Sequence, residues 1–145
     1  MKTTLIKLYS SFLFPIIAFF APIYFMVFLV GLSTLVDTGF GIWKAKSLGE
    51  VVSSKICRKG LIPKLRSYAS IVLLLFVLDY YIVNEFTQLF ISIQFVSTKL
   101  VSLALIIIEV KSMDESFEKV KGYSFIAKIY SNLRNIKKVK DDLEP

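Results

Sequence analysis

Charged residues are absent from Leu8 to Val36; Asp37 ends the run, and lysines follow at Lys44 and Lys46. About 20 apolar residues in a helix cross a bilayer core, so a first membrane span is predicted over about 12–36. A cleavable leader is a poor fit, because the apolar run far exceeds the h-region of roughly 7–15 residues that a signal peptide uses. Large residues also fill the small-residue positions of "FFAPIYF". Pro22 predicts a kink, which membrane helices accept where neighbours re-satisfy the backbone. A second apolar run, "IVLLLFVLDYYIV", predicts a span over about 65–83 with Asp79 near its far end. Asn84 and Glu85 then form a short turn, and a third span is expected over about 86–108, containing Lys99 and ending at Glu109. That segment is less apolar than the others, and a two-span arrangement with 86–108 lying on the membrane surface stays open. The expected fold class is an all-α integral membrane protein with about three transmembrane helices (region 1–110), followed by a basic tail over 111–145.

The polar positions between the first two spans set the topology. Phe40 and Trp43 follow the first span, where aromatic rings favour the headgroup layer. Lys44, Lys46, Lys55, Arg58, Lys59, Lys64 and Arg66 then oppose the single acid Glu50. Short Lys- and Arg-rich loops stay in the cytoplasm, so 44–64 is predicted to be a cytoplasmic loop. The N-terminus, with only Lys2 and Lys7, is then outside and the C-terminus inside. "SLGE" at 47–50 fits a capping box and predicts a short helix that Gly60 and Pro63 end. In the tail, Phe125, Ile126, Ile129, Tyr130, Leu133 and Ile136 share one helical face, with Ser124 as N-cap and Lys128, Arg134, Lys137, Lys138 and Lys140 as basic complement. That helix suits either an interface with anionic headgroups or a protein partner.

Composition reinforces the pattern. The 145 residues are 55% hydrophobic and 20% charged, and mean hydropathy is +0.66. A soluble domain would be nearer half apolar and a quarter charged. The net charge of +7 lies beside apolar runs, which points to membrane lipid as partner and not to nucleic acid. With no histidine and one cysteine, Cys57, disulfide frameworks, zinc sites and Cys–His nucleophiles within the chain are excluded. "GEVVSSKICRKG" lacks the Gly-Lys-Ser/Thr ending of a phosphate-binding loop. No catalytic residue, metal or cofactor is expected.

The third span carries the most informative polar pattern. At 100° per residue, Gln88, Ser92, Lys99, Ser102 and Glu109 fall in one sector together with Phe95. A lysine at mid-membrane costs about 2.5–3.5 kcal/mol on the insertion scale and usually faces protein or water. Two uses compete. Lys99 could pair with Asp79 or Asp37 inside a bundle, or the stripe could line water once several copies assemble.

The segment "LVDTGFGIWKAKSLGEVVSSKICRKGLIPKL" resembles the toxin-secretion and phage-lysis holin family. The resemblance lies in Asp37, Thr38 and Gly39 at the end of the first span, then Lys44 and Ala45, Ser53 and Ser54, and Arg58, Lys59, Gly60, Leu61 and Lys64. In the tail it extends to Glu109, Ser112, Glu115 and Gly122, covering about 25–122. Ser116 departs from it, standing where an asparagine commonly follows the second Glu, and the basic tail is longer. The resemblance implies an inner-membrane protein that oligomerises into lesions and releases a cytoplasmic endolysin or a toxin. On this view Asp37 ends the first span, and the glycines allow close helix approach or a turn. A non-catalytic membrane subunit or scaffold, docking through its basic tail, is the competing class. A proton-coupled carrier using Asp79 and Lys99 would need internal repeats, and none is found.

Overall fold

The computed structural model describes residues 13–90 and 92–141, with side chains through 135. Residue 12, Lys2 and Lys7 therefore lie outside the described residues, as do the side chains of Ile136, Lys137, Lys138 and Lys140. Helix accounts for 87% of the structure, and the described residues contain no strand, so the all-α expectation holds.

Four helical elements follow one another. α1 is Leu13–Ser47, α2 is Ser54–Thr87, α3 is Val96–Lys121 and α4 is Phe125–Asp141. Pro22 is accommodated by a tight 3-10 turn at Ala21–Ile23 inside α1, a form of the expected kink. Both α1 and α2 are long and apolar enough to cross a membrane, with mean hydropathies of 2.5 and 1.8 in their most apolar windows. Only 11% of each window is buried, whereas the core helix of a soluble protein would be mostly covered. These two helices suggest membrane association.

The basic stretch differs from the predicted loop over 44–64. α1 runs on through Asp37, Gly39 and Gly41 to Ser47, and α2 already starts at Ser54. The connection is only 48–53. Lys, Arg, Ala and Leu are good helix formers, so the helix outlasts the apolar run that marks it. "SLGE" is not a helix start. Gly49, at φ 74°, closes α1: its N–H donates to the Lys46 carbonyl and that of Glu50 to Ala45, at 3.3 and 2.8 Å. These paired bonds are a Schellman ending, for which glycine suits the left-handed position. The N-cap of α2 is Ser53, whose hydroxyl accepts from the Ile56 N–H at 3.3 Å. Gly60 and Pro63 are interior to α2. The Lys59 carbonyl, deprived of its donor by Pro63, belongs to an exposed stretch where water can satisfy it.

The second turn also differs. Asn84–Thr87 continues α2 instead of breaking it, and the stretch just before it, Asp79–Val83, is a π-helical widening. Residues 86–90 and 92–95 are therefore not part of the third helix, which begins at Val96 after Phe95 takes a left-handed conformation at φ 56°. That residue is fixed by the Asn84 side chain, whose Oδ1 accepts the Phe95 N–H at 2.9 Å, and by its ring, 5.2 Å from that of Phe76.

Contacts between helices give the arrangement. Phe19 and Phe20 of α1 meet Phe76 of α2, while Asp37 meets Lys64, so α1 and α2 are antiparallel. Trp43 of α1 lies 5.9 Å from Phe117 of α3, so α3 runs parallel to α1. The core has two patches: Ile23, Phe76 and Phe95 at one end, and Val30, Val72 and Leu105 further along. Outward faces stay apolar, with Phe28 58%, Leu35 52%, Leu74 63%, Leu103 54% and Ile107 58% exposed.

Candidate functional site

The inner face of α3 is more polar than a soluble core would be. Its buried residues are Thr98, Ser102, Leu105, Glu109, Met113, Asp114 and Ser116; all but Asp114 follow the three- and four-residue spacing that keeps one helix face in register. Buried polar groups need partners, and three carboxylates at or facing α3, Glu109, Asp79 and Asp114, make such bonds.

The first joins all three long helices. Lys64 Nζ of α2 donates to Asp37 Oδ2 of α1 at 2.9 Å and to Glu109 Oε2 of α3 at 2.8 Å. Tyr68, one turn along α2, donates its hydroxyl to Glu109 Oε1 at 2.7 Å. The Glu109 side chain is 0% exposed and that of Asp37 11%, whereas Lys64 is 37% exposed. Two carboxylates against one ammonium leave a formal −1. A cavity of about 400 Å³ lies alongside, lined by Asp37, Lys64, Ser112 and Ser116 among others. Thr38 takes no part in the cluster: its hydroxyl donates back to the Thr34 carbonyl at 2.9 Å, a local bond common for helical threonine.

The second site is Asp79. It is fully buried, and its Oδ2 accepts both the Thr98 N–H at 2.7 Å and the Thr98 hydroxyl at 2.6 Å. Thr98 is in the first turn of α3, where backbone donors lack intrahelical partners. Asp79 therefore caps α3 from another helix. The π-turn's bond runs from the Asn84 N–H to the Asp79 carbonyl, and the side chains of both residues hold the incoming chain, Asn84 at Phe95 and Asp79 at Thr98. Asp79 Oδ1 and Ser102 Oγ are buried without a hydrogen-bond partner among the described residues.

The third site, Asp114, repeats the device at the start of α4. Its Oδ1 accepts the N–H groups of Phe125 and Ile126 at 2.7 and 3.3 Å, and its Oδ2 accepts the Ser124 hydroxyl at 2.6 Å. Ser124 Oγ in turn accepts from the Ala127 N–H at 3.0 Å, so the expected N-cap is in place. Burial works against ionisation of Asp114, but these three donors prevail and hold its carboxyl below the ordinary 3.8.

The residues singled out in the sequence separate into two groups. Ser102 and Glu109 face the bundle, as one stripe requires. Gln88 and Ser92 precede α3 and are exposed, and Lys99 is exposed with no ion pair among the described residues. Lys99 therefore meets neither Asp79 nor Asp37; the hydroxyl next to it in sequence, Thr98, takes Asp79. Asp37 does not end its helix but is the α1 arm of the cluster. Gly39 and Gly60 serve neither a turn nor a close approach, since an added Cβ would meet nothing within 4 Å. Arg58 reaches back to the Ser54 carbonyl at 3.3 Å. Lys59 and Glu115 are exposed, and Lys44 is half-buried beside the cavity. Sequence reasoning missed the central role of Lys64 and the part played by Tyr68. The only available signal was that a lysine and a tyrosine four residues apart share the face of α2 turned toward two buried acids. Among the described residues, no group of three His, Cys, Asp or Glu side chains is placed to hold a metal ion.

No family model, curated protein or solved structure matches this chain.

Proposed function

We propose that this chain is a non-catalytic, holin-type lysis protein that oligomerises in a bacterial inner membrane and opens lesions for a cytoplasmic endolysin or toxin. One observation carries this reading. α3 turns Thr98, Ser102, Glu109 and Ser116 inward while its outer face offers Leu100, Leu103, Ile107 and Ile108, each more than half exposed. A helix apolar outside and polar inside, packed between two apolar helices, suits a bundle that is stable in lipid as a single copy. It suits equally an assembly in which the inner face meets water.

In this proposal α3 is the third span. The roughly 18 residues from Val96 up to Asp114 extend about 27 Å at 1.5 Å per residue, close to a hydrocarbon core of about 30 Å, and the charged last turns, from Asp114, emerge among the cytoplasmic headgroups. Lys99 is the one charge before Glu109, and its long stem can carry the ammonium to the outer headgroups. The connection 48–53 and the tail are cytoplasmic and the N-terminus is outside. The Lys64 cluster holds the closed form. A unit charge crossing the field is worth about 2.3 kcal/mol per 100 mV, so depolarisation can bias an assembly poised on such charges.

A second reading, a scaffold subunit, draws on α4. Ile129, Tyr130 and Leu133 form an apolar face 55–71% exposed, which a protein partner would cover.

Lysis distinguishes the two. The chain is induced in a bacterial host alone and with a leaderless endolysin, while optical density and membrane potential are followed. Abrupt lysis in the pair only, preceded by depolarisation, is expected, with Lys99→Leu changing its timing. Continued growth with the chain inserted would reject the lysis function in favour of the scaffold.

A further inference from the structure

On the outer surface of α2, away from the buried cluster, Lys55, Arg58, Lys59, Ile62 and Pro63 line a hollow of about 440 Å³. Its three cations are exposed, and among the described residues none has an acidic partner. The first turn of α2 contains no acid that would offset them. Such a concentration of positive charge is unfavourable unless an anion is nearby.

We infer that this hollow binds the headgroup of an anionic phospholipid. The face of the helix identifies the occupant. Residues 55, 59, 62, 66, 73 and 77 share one side of α2 at helical spacing, so the cationic hollow continues through Arg66 into Leu73 and Val77, which are 37% and 38% exposed. A phosphate held by Lys55, Arg58 and Lys59 has its acyl chains directed along that apolar strip. Ile62 and Pro63 form an apolar step between the two zones. A free phosphate would use the cations and leave the strip uncovered; a phospholipid uses both. The site lies beside the short connection 48–53, where it would anchor this end of α2 at the membrane surface.

The inference rests on the membrane reading above but not on lysis. Full-length chain is reconstituted in nanodiscs of phosphatidylcholine mixed equally with phosphatidylglycerol. Insertion is checked by protease protection, and the lipids retained on gentle release are identified by native mass spectrometry. Wild type is expected to retain phosphatidylglycerol preferentially. The preference should fall about fivefold per cation removed, so roughly 100-fold in Lys55→Gln/Arg58→Gln/Lys59→Gln. Lys119→Gln/Lys121→Gln, with its cations at the end of α3, should keep it. Equal retention of both lipids by inserted wild type, or an undiminished preference in the triple variant, overturns the site alone. Displacement of the lipid by inorganic phosphate overturns the phospholipid as occupant. A chain that does not insert overturns the membrane reading and the site together.

Discussion

Lys64 is the residue on which the three long helices converge, and its replacement separates two contributions. Lys64→Met removes the only cation paired with Asp37 and Glu109 among the described residues, and leaves Glu109 with Tyr68. Breaking a buried pair from one side costs about 3–5 kcal/mol. The partial exposure of Lys64 (37%) places this loss near the lower end, because solvent screens such a pair. Glu109→Gln removes the excess negative charge but keeps an acceptor for Tyr68, so it should cost about 1 kcal/mol, the worth of one weakened hydrogen bond. Thermal unfolding in detergent micelles measures both. If Glu109→Gln proved as destabilising as Lys64→Met, the Glu109 charge itself, and not Lys64's need for partners, would hold the cluster. At this scale the sequence was half legible. Ser102 and Glu109 share one buried face of α3, while Lys99, placed with them by helical angle, is exposed and took the interest that belonged to Lys64. Helical angle places residues on a face; it does not say which neighbour that face meets.

Among the elements, α3 and α4 each start from a carboxylate supplied by the preceding helix, and Asp114 makes this testable by pH. Its carboxyl is held below the ordinary 3.8. The bonds to Ser124, Phe125 and Ile126 therefore stabilise the α3–α4 junction above that value, and their contribution is lost as pH falls through the lowered one. Amide chemical shifts of Phe125 and Ile126 should titrate together below pH 3.8 in the wild type. In Asp114→Asn they should start displaced and stay flat across the same range. A shared titration near or above the ordinary value would contradict the capping role. Ser124 as N-cap was legible because a cap is local, one side chain and a backbone amide three residues on. The tertiary caps were not, since Asp79 and Thr98 are 19 residues apart in sequence. Helix ends were misplaced for a related reason. Hydropathy marks where side chains leave lipid, whereas Lys-, Ala- and Leu-containing backbone stays helical beyond that point.

For the whole molecule, the orientation can be measured with the chain's own cysteine. Cys57 is the single cysteine, half-buried near the start of α2. With the connection 48–53 in the cytoplasm, a membrane-impermeant maleimide should label Cys57 in inverted vesicles and leave it unlabelled in intact cells, with Cys57→Ser as blank. Labelling from outside would reverse the topology and require the basic end of the bundle to face away from the cytoplasm, against the tendency of Lys- and Arg-rich loops.

By itself the sequence determined that the chain is helical, that two of its helices are long and apolar enough for a membrane, where Pro22 disturbs the first, and that Ser102 and Glu109 share a face of the third. Each of these follows from quantities that accumulate along a short window: transfer free energy, helical periodicity and local capping. Only the tertiary structure decided that Asp37, Lys64 and Glu109 meet, that Asp79 serves Thr98, and that Thr98, Ser102 and Glu109 turn inward while Lys99 stays exposed. Those contacts bridge 27 and 45 residues in the case of Lys64. They depend on how the helices are oriented and shifted against one another, which is fixed by packing around Phe76, Val72 and Leu105 and not by any window of sequence.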